Sequence, residues 1–158
     1  MSFDSREFRD ALGRFATGVC VITAYAQNGS PFGMTVNSFA SLSLDPPLVL
    51  WSIQNNSECL AEFESAESFA VNVLDASQES LSNRYAEKGD HVLDVADYRK
   101  GEAGLPLIDG SVTAFECQKE QILDGGDHKI IIGRVVAMCD ASSGNPLLFY
   151  CGKYRSLK

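Results

Sequence analysis

The residues whose types and spacing can do chemistry gather in three places. The first is Gly33-Met34-Thr35-Val36-Asn37-Ser38-Phe39-Ala40-Ser41-Leu42-Ser43-Leu44-Asp45-Pro46-Pro47-Leu48. Here a strand end runs into a loop of Thr, Asn and Ser and then into a second short strand. Hydroxyls and free backbone amides in such a loop suit a phosphate or the polar edge of a flat ring, and they need no net positive charge. An ordinary polar β-loop has the same composition, so both readings stand at this point. The second place is Gly125-Gly126-Asp127-His128. Glycine supplies the positive φ of a tight hairpin, and the His at its base is either incidental or presented to a ligand. The third is Tyr150-Cys151-Gly152-Lys153-Tyr154-Arg155, which is either a frayed basic tail or an aromatic and cationic lip over a planar anion. Arg84-Tyr85 offers a similar pairing.

What is missing narrows the chemistry. No two glycines stand at G-x-G, so the dinucleotide fingerprint of a Rossmann domain is missing. There is no G-K-[ST] of a phosphate loop and no G-x-S-x-G nucleophile elbow. Five cysteines without a C-x-x-C pair, and two histidines, give a zinc site almost no support. If the chain is an enzyme, a bound cofactor carries the difficult step.

The elements that must position these groups are mostly strands. Phe8, Ala11, Leu12 and Phe15 fall at i, i+3, i+4 and i+7 and predict a first helix with one apolar stripe. Asp4 followed by Glu7 resembles a capping box at its start. Val19 to Tyr25 is apolar and β-branched on both faces, as in a strand covered on both sides. Short strands follow at Gly33–Val36, Ser41–Leu44, Leu48–Ile53 and Phe69–Leu74, with helices over 57–65 and Ser77–Ala86. The polar stretch from Lys88 to Gly110 reads as a long excursion over the surface. Two long strands, Ser111–Leu123 and Lys129–Cys139, flank the Gly-Gly-Asp-His turn, and Pro146–Tyr150 is a last short strand. The strands do not alternate regularly with crossover helices, so a doubly wound parallel sheet is not expected. The expected fold is mainly β with peripheral helices, an antiparallel barrel in a single domain over 1–158.

Composition bounds the partners. The chain has 158 residues with 13 Lys and Arg against 21 Asp and Glu, a formal net charge of -8. Nucleic acid and anionic membranes, which need basic surface, are therefore not expected partners. Cys20, Cys117 and Cys139 lie in apolar runs and read as core residues in a reducing compartment. The polar, acidic start is no signal peptide, and no apolar run approaches the roughly 20 residues of a membrane span. A cytoplasmic location is expected.

Taken together, three blocks resemble the short-chain flavin reductase family, the reductase components of two-component flavin-dependent monooxygenases. They are Phe8-Arg9-Asp10-Ala11-Leu12-Gly13-Arg14-Phe15-Ala16-Thr17-Gly18-Val19, the Gly33 to Leu48 loop, and Gly126-Asp127-His128 with Gly152-Lys153-Tyr154. Gly104-Leu105-Pro106-Leu107 and Phe115-Glu116-Cys117 also match the family pattern. The likeness runs through nearly the whole chain in the right order. One difference is Trp51, where a smaller aliphatic residue is common in the family.

The resemblance implies an antiparallel split β-barrel, a homodimer with flavin near the subunit interface, and FMN or FAD with NADH or NADPH as cofactors. It implies that Met34, Thr35, Val36, Asn37 and Ser38 hold the flavin ring and ribityl chain, and that Ser41 and Leu42 touch the ring. Ser52 and Ser57 line the ribityl and phosphate path. Arg84 and Tyr85 lie near the phosphate or adenylate end. His128 sits beside the nicotinamide, in a pocket that Tyr154 helps to close. The implied activity is hydride transfer from the nicotinamide to flavin, with reduced flavin passing to an oxygenase component. That step needs positioning and electrostatics from the protein rather than an acid/base dyad. Two other readings stay open: a flavin-holding electron carrier without a nicotinamide site, and a non-enzymatic interaction module.

Overall fold

The computed structural model describes residues 2–140 and 143–158. In chain order the elements are α1 (Ser5–Leu12), β1 (Thr17–Gly18), β2 (Cys20–Tyr25), β3 (Pro31–Val36), β4 (Ala40–Leu44), β5 (Pro47–Gln54), α2 (Leu60–Ser65), β6 (Ser68–Val73), a 3-10 turn at Ala76–Gln78, α3 (Glu79–Ala86), β7 (Tyr98–Lys100), β8 (Pro106–Ile108), β9 (Thr113–Gly125), β10 (His128–Asp140), β11 (Leu148–Tyr150) and β12 (Lys153–Arg155).

Seven strands form one sheet in the order β3-β2-β6-β9-β10-β5-β4, and all its pairings are antiparallel. The sheet ladder does not close, since β3 and β4 are its two edges. The sheet nevertheless wraps a single core. Ile22 of β2, Phe32 and Val36 of β3, Trp51 and Ile53 of β5, Val71 of β6 and Ile131 of β10 belong to one buried cluster. Residues near opposite edges can meet there only if the sheet curls upon itself. The mainly β, antiparallel architecture with peripheral helices matches the expectation, as a barrel split along one seam.

Burial explains the strands. Residues 20–24 of β2 are all buried, because α3 and the 88–110 segment cover the face that the barrel interior does not. In β5 the pattern alternates: Val49, Trp51 and Ile53 are buried and Ser52 and Gln54 are not, the period-two signature of a half-covered strand. Trp51 is completely buried with its ring edge-on to Phe63 and Phe69, so the larger side chain is accommodated by aromatic packing.

Several details differ from the sequence reading. The stripe on α1 does not enter the core. None of the helix residues is buried, and Phe8, Leu12 and Phe15 are exposed. Asp4 does cap the helix, by accepting from the Arg6 amide. The 57–65 helix is shorter, starting at Leu60, and α3 begins at Glu79 after a 3-10 turn with an Asp75–Gln78 capping box. The 88–110 segment is not a surface excursion throughout. It contains the paired strands β7 and β8, and Leu105, Leu107 and Ile108 are buried. Two buried polar side chains draw it in. Glu116 accepts from the Ala103 and Leu105 amides at 3.1 Å each, and Asn72 accepts from the Ile108 amide at 2.9 Å. These bonds satisfy backbone groups that would otherwise be orphaned inside. The basic tail is no frayed end, because β12 pairs with β11, which pairs with β1. Cys20 and Cys117 are core residues as expected, whereas Cys139 is only partly buried, beside Arg99.

Candidate active site

The seam of the sheet opens into a cavity of about 440 Å³. One wall is the end of β3 and the loop after it, Met34 to Ser38. The other is the end of β5 and its following loop, with Ser52, Ile53, Gln54, Asn56, Ser57 and Glu58. Ala86 to Lys88 and His91 close one side, and His128 stands at another.

Each wall is fixed by bonds that cross the seam. The Ser38 hydroxyl donates to the Ser52 carbonyl at 2.9 Å and accepts from the Ser52 amide at 3.0 Å. Thr35 Oγ1 donates to the Ser82 carbonyl at 2.7 Å, which anchors β3 to α3. The Ser57 hydroxyl lies 3.4 Å from the Met34 sulfur and accepts from the Cys59 amide at 3.2 Å. The hydroxyls of Thr35, Ser38 and Ser57 are thus occupied in holding the walls. Among the described residues, no hydrogen bond engages the side-chain amides of Asn37, Gln54 or Asn56, and no ion pair engages Lys88. These are the polar groups the cavity can offer to a ligand.

His128 is carried by a two-residue hairpin, Gly126-Asp127, between the paired residues Gly125 and His128. Gly126 has φ +69° and Asp127 does not share it, the pattern of a type II′ turn with Gly at its first central position. The hairpin is tied to the loop after β5: the Asn55 amide donates to the Asp127 carbonyl at 2.9 Å, and Asn55 Nδ2 donates to the Gly126 carbonyl at 3.2 Å. Register places His128 opposite Gln54. The imidazole Nδ1 lies 2.7 Å from Asp127 Oδ1, and this bond holds the Asp127 carboxyl below its usual range. The side of the ring bearing Nε2 remains available.

The other predicted site residues lie elsewhere. Ser41 and Leu42 are exposed on the edge strand β4 and do not line the cavity. Arg84 is half exposed. Its guanidinium lies 3.4 Å from Asp94 and 3.3 Å from Asp97, over the Tyr85 ring. Tyr85 is fully buried, donates to Asp97 at 2.7 Å and accepts from the Asp94 amide at 3.1 Å. Burial pushes its phenol up to about 12. Tyr154 lines an adjoining cavity of about 200 Å³ with Thr35, Val36, Asn37, Ala86 and Phe149, and its hydroxyl is 2.7 Å from Ser82 Oγ. Gln54, Asn56, Glu58, Lys88 and His91 are cavity residues that sequence reasoning passed over. The run Gln54-Asn55-Asn56 straight after a strand, and Lys88-Gly89-Asp90-His91 straight after a helix, were the available signals.

This arrangement suits an elongated, partly planar anion. Ile53, Met34 and Val36 offer apolar surface, three amides offer hydrogen bonds, and Lys88 offers charge. Its volume falls within the roughly 300–1,000 Å³ usual for small-molecule sites. Residues 12–158 match the model of the flavin reductase like domain. The chain belongs to this family. It is 46% identical over 151 residues to FMN reductase (NADH) SmoA of Agrobacterium fabrum, covering 96% of this chain and 85% of that protein. It is 43% identical over 149 residues to the reductase component of the flavin-dependent trigonelline monooxygenase of Acinetobacter baylyi, covering 94% of this chain and 48% of that longer protein. Among solved structures, the Streptomyces globisporus NADH:FAD oxidoreductase SgcE6, in complex with NAD and FAD fragments, superposes with a TM-score of 0.91 at 36% identity, over 98% of this chain and 93% of that one. No described helix is long and apolar enough to cross a membrane.

Proposed function

We infer that this chain, as one flavin reductase-like unit, is an NAD(P)H-dependent flavin reductase. It reduces FMN or FAD by hydride transfer and supplies reduced flavin to an oxygenase component. The observation that carries this reading is the single cavity with the Met34–Ser38 segment on one wall and His128 on another.

The nicotinamide, when bound, supplies the hydride and the flavin accepts it; the chain's own residues bind, orient and exclude water. Met34, Val36 and Ile53 line the cavity and would hold the flavin ring, with the backbone of 35–38 available to its polar edge. Asn37, Gln54 and Asn56 provide amide donors, which favour a ring gaining negative charge. Lys88 serves the phosphate. Ser52, Ser38 and Ser57 hold the walls in register. Arg84, stacked on Tyr85 outside the cavity and paired with Asp94 and Asp97, would serve the adenylate end of FAD. His128, held by Asp127, would orient the nicotinamide, and Tyr154 borders the adjoining cavity beside Ala86 rather than the His128 side. A nicotinamide-positioning residue on a pinned hairpin distinguishes this reading from an electron carrier, which has no use for one.

The chain acts as a homodimer in the cytoplasm. Leu44 of β4 and Met138 of β10 are 96% and 63% exposed, large apolar side chains of one sheet that a second copy would cover. Ser41 and Leu42, on the same edge strand, then approach the flavin from the interface.

A turnover matrix of NADH and NADPH against FMN, FAD and riboflavin tests the activity. Nicotinamide oxidation is expected only with flavin present. Purified protein that leaves both nicotinamides untouched with every flavin would overturn the reading.

A further inference from the structure

His91 and Glu58 form a contact outside the chemistry described above. The imidazole of His91 is mostly buried, and each ring nitrogen meets an acceptor. Nδ1 lies 3.2 Å from the carbonyl oxygen of Gly33, and Nε2 lies 3.1 Å from Glu58 Oε2. A backbone carbonyl can only accept, and an ionised carboxylate can only accept. Both contacts are hydrogen bonds together only when both ring nitrogens carry hydrogen. The neutral ring keeps one bond and turns a lone pair toward the other acceptor.

The contact also closes a loop of chain. Glu58 Oε2 accepts from the Gly89 amide at 2.9 Å, and the Gly33 amide donates to the His91 carbonyl at 2.9 Å. Residues 86–91 are thereby held between β3 and the loop after β5, the two walls of the cavity. Ala86, Glu87, Lys88 and His91 all line it. Bonds from the Gly89 amide and from His91 hold the Glu58 carboxyl below the usual carboxylate range.

We propose that His91 is a positioning residue whose doubly protonated ring clasps Glu58 to Gly33 and so holds the 86–91 wall, making flavin affinity pH-dependent. The charged groups facing the ring are few. β3 contributes none. The loop after β5 contributes Glu58 and the Cys59 thiol, which burial keeps protonated, pushing it up to about 12. Its own segment contributes Glu87, Lys88 and Asp90, whose carboxylate accepts from the Val92 amide. His128 stands on the same cavity. Removing the ring's second proton turns a lone pair on one of the two acceptors, so one of the two bonds that make the clasp is lost. The clasp is therefore closed while both ring nitrogens carry hydrogen and opens when one is lost.

The flavin consequence rests on the reductase reading, so the test has two arms. In the first, hydrogen exchange of the protein without flavin is measured from pH 6.0 to 8.5 and corrected for intrinsic rates. Protection of the Gly33 and Gly89 amides should fall with rising pH in the parent. It should stay level in Glu58→Gln, whose amide can donate to a neutral ring, and low throughout in His91→Asn, which keeps only the Gly33 contact. In the second, FMN binding is followed by fluorescence quenching. The parent's Kd should rise about threefold to tenfold over that range, the size of one lost hydrogen bond, and Glu58→Gln should flatten the rise. Level protection in the parent, or a parental slope retained in Glu58→Gln, overturns the clasp; that retained slope would belong to the flavin phosphate. Falling protection with an unchanged Kd overturns its role in flavin affinity. Falling protection with no FMN binding at any pH supports the clasp and overturns the reductase reading instead.

Discussion

The Ser38 hydroxyl bonds both the amide and the carbonyl of Ser52, doing with one side chain what a strand neighbour does with its backbone. It sits where the β3 and β5 ends face each other without a ladder. Polar backbone at the seam is thereby satisfied while room is left for a ligand.

Ser38→Ala leaves both Ser52 backbone groups without this partner. Unfolding free energy should fall by about 1–3 kcal/mol, read from urea denaturation, and flavin Kd should rise because the two walls lose their stitch. Unchanged stability and unchanged affinity would show that water replaces the hydroxyl without consequence.

Losing an orienting hydrogen bond costs about 0.5–1.5 kcal/mol. His128→Ala should therefore raise the nicotinamide KM, or lower the reduction rate, about threefold to tenfold, with flavin affinity nearly intact. A true acid/base catalyst would cost about 10²–10⁴-fold. Stopped-flow flavin reduction over a range of nicotinamide concentrations separates the two roles, and a variant identical to the parent makes His128 a turn residue only.

On the proposed assignment, Lys88 and Arg84 divide the anionic end of the ligand between them. Lys88→Ala should raise KM for FMN and FAD but not for riboflavin, with kcat at saturation near the parent's, since a remote phosphate contact binds ground and transition states alike. Arg84→Ala should raise KM for FAD and spare FMN. An Arg84 variant with the larger FMN defect would exchange these assignments.

The five thiols should differ sharply in reactivity. Burial pushes Cys20, Cys59 and Cys117 up to about 12, so at pH 8 they hold almost no thiolate. Cys151 is exposed. Mass-spectrometric mapping of a native protein treated with a thiol reagent should find label at Cys151, more slowly at Cys139, and at the other three only after denaturant.

What the sequence made legible follows the strength of local patterns. Cys20 to Tyr25 and the two long strands are apolar enough to announce themselves, and Gly126 with His128 marks the hairpin directly. The α1 stripe had the right period and the wrong destination, because periodicity reports a face and says nothing of what covers it. Leu105 to Ile108 was lost in a polar stretch because its burial depends on Asn72 and Glu116, far away in sequence. At the site, Thr35, Ser38 and Ser57 looked like ligand donors by type. Their hydroxyls instead hold the walls, while Gln54, Asn56 and Lys88 came into view only when three loops were seen to converge.

The pairing of β5 with β10 also has a bearing on biosynthesis. Gln54 meets His128, about 74 positions later in the chain. At roughly 5–20 residues per second of synthesis, about 4–15 seconds pass before that partner exists. During this interval β5 has β4 along only its Pro47–Leu50 half and nothing along its other edge, the condition in which nascent strands find wrong partners. A translational pause between residues 54 and 128 should therefore lower the yield of folded protein more than one placed after β10.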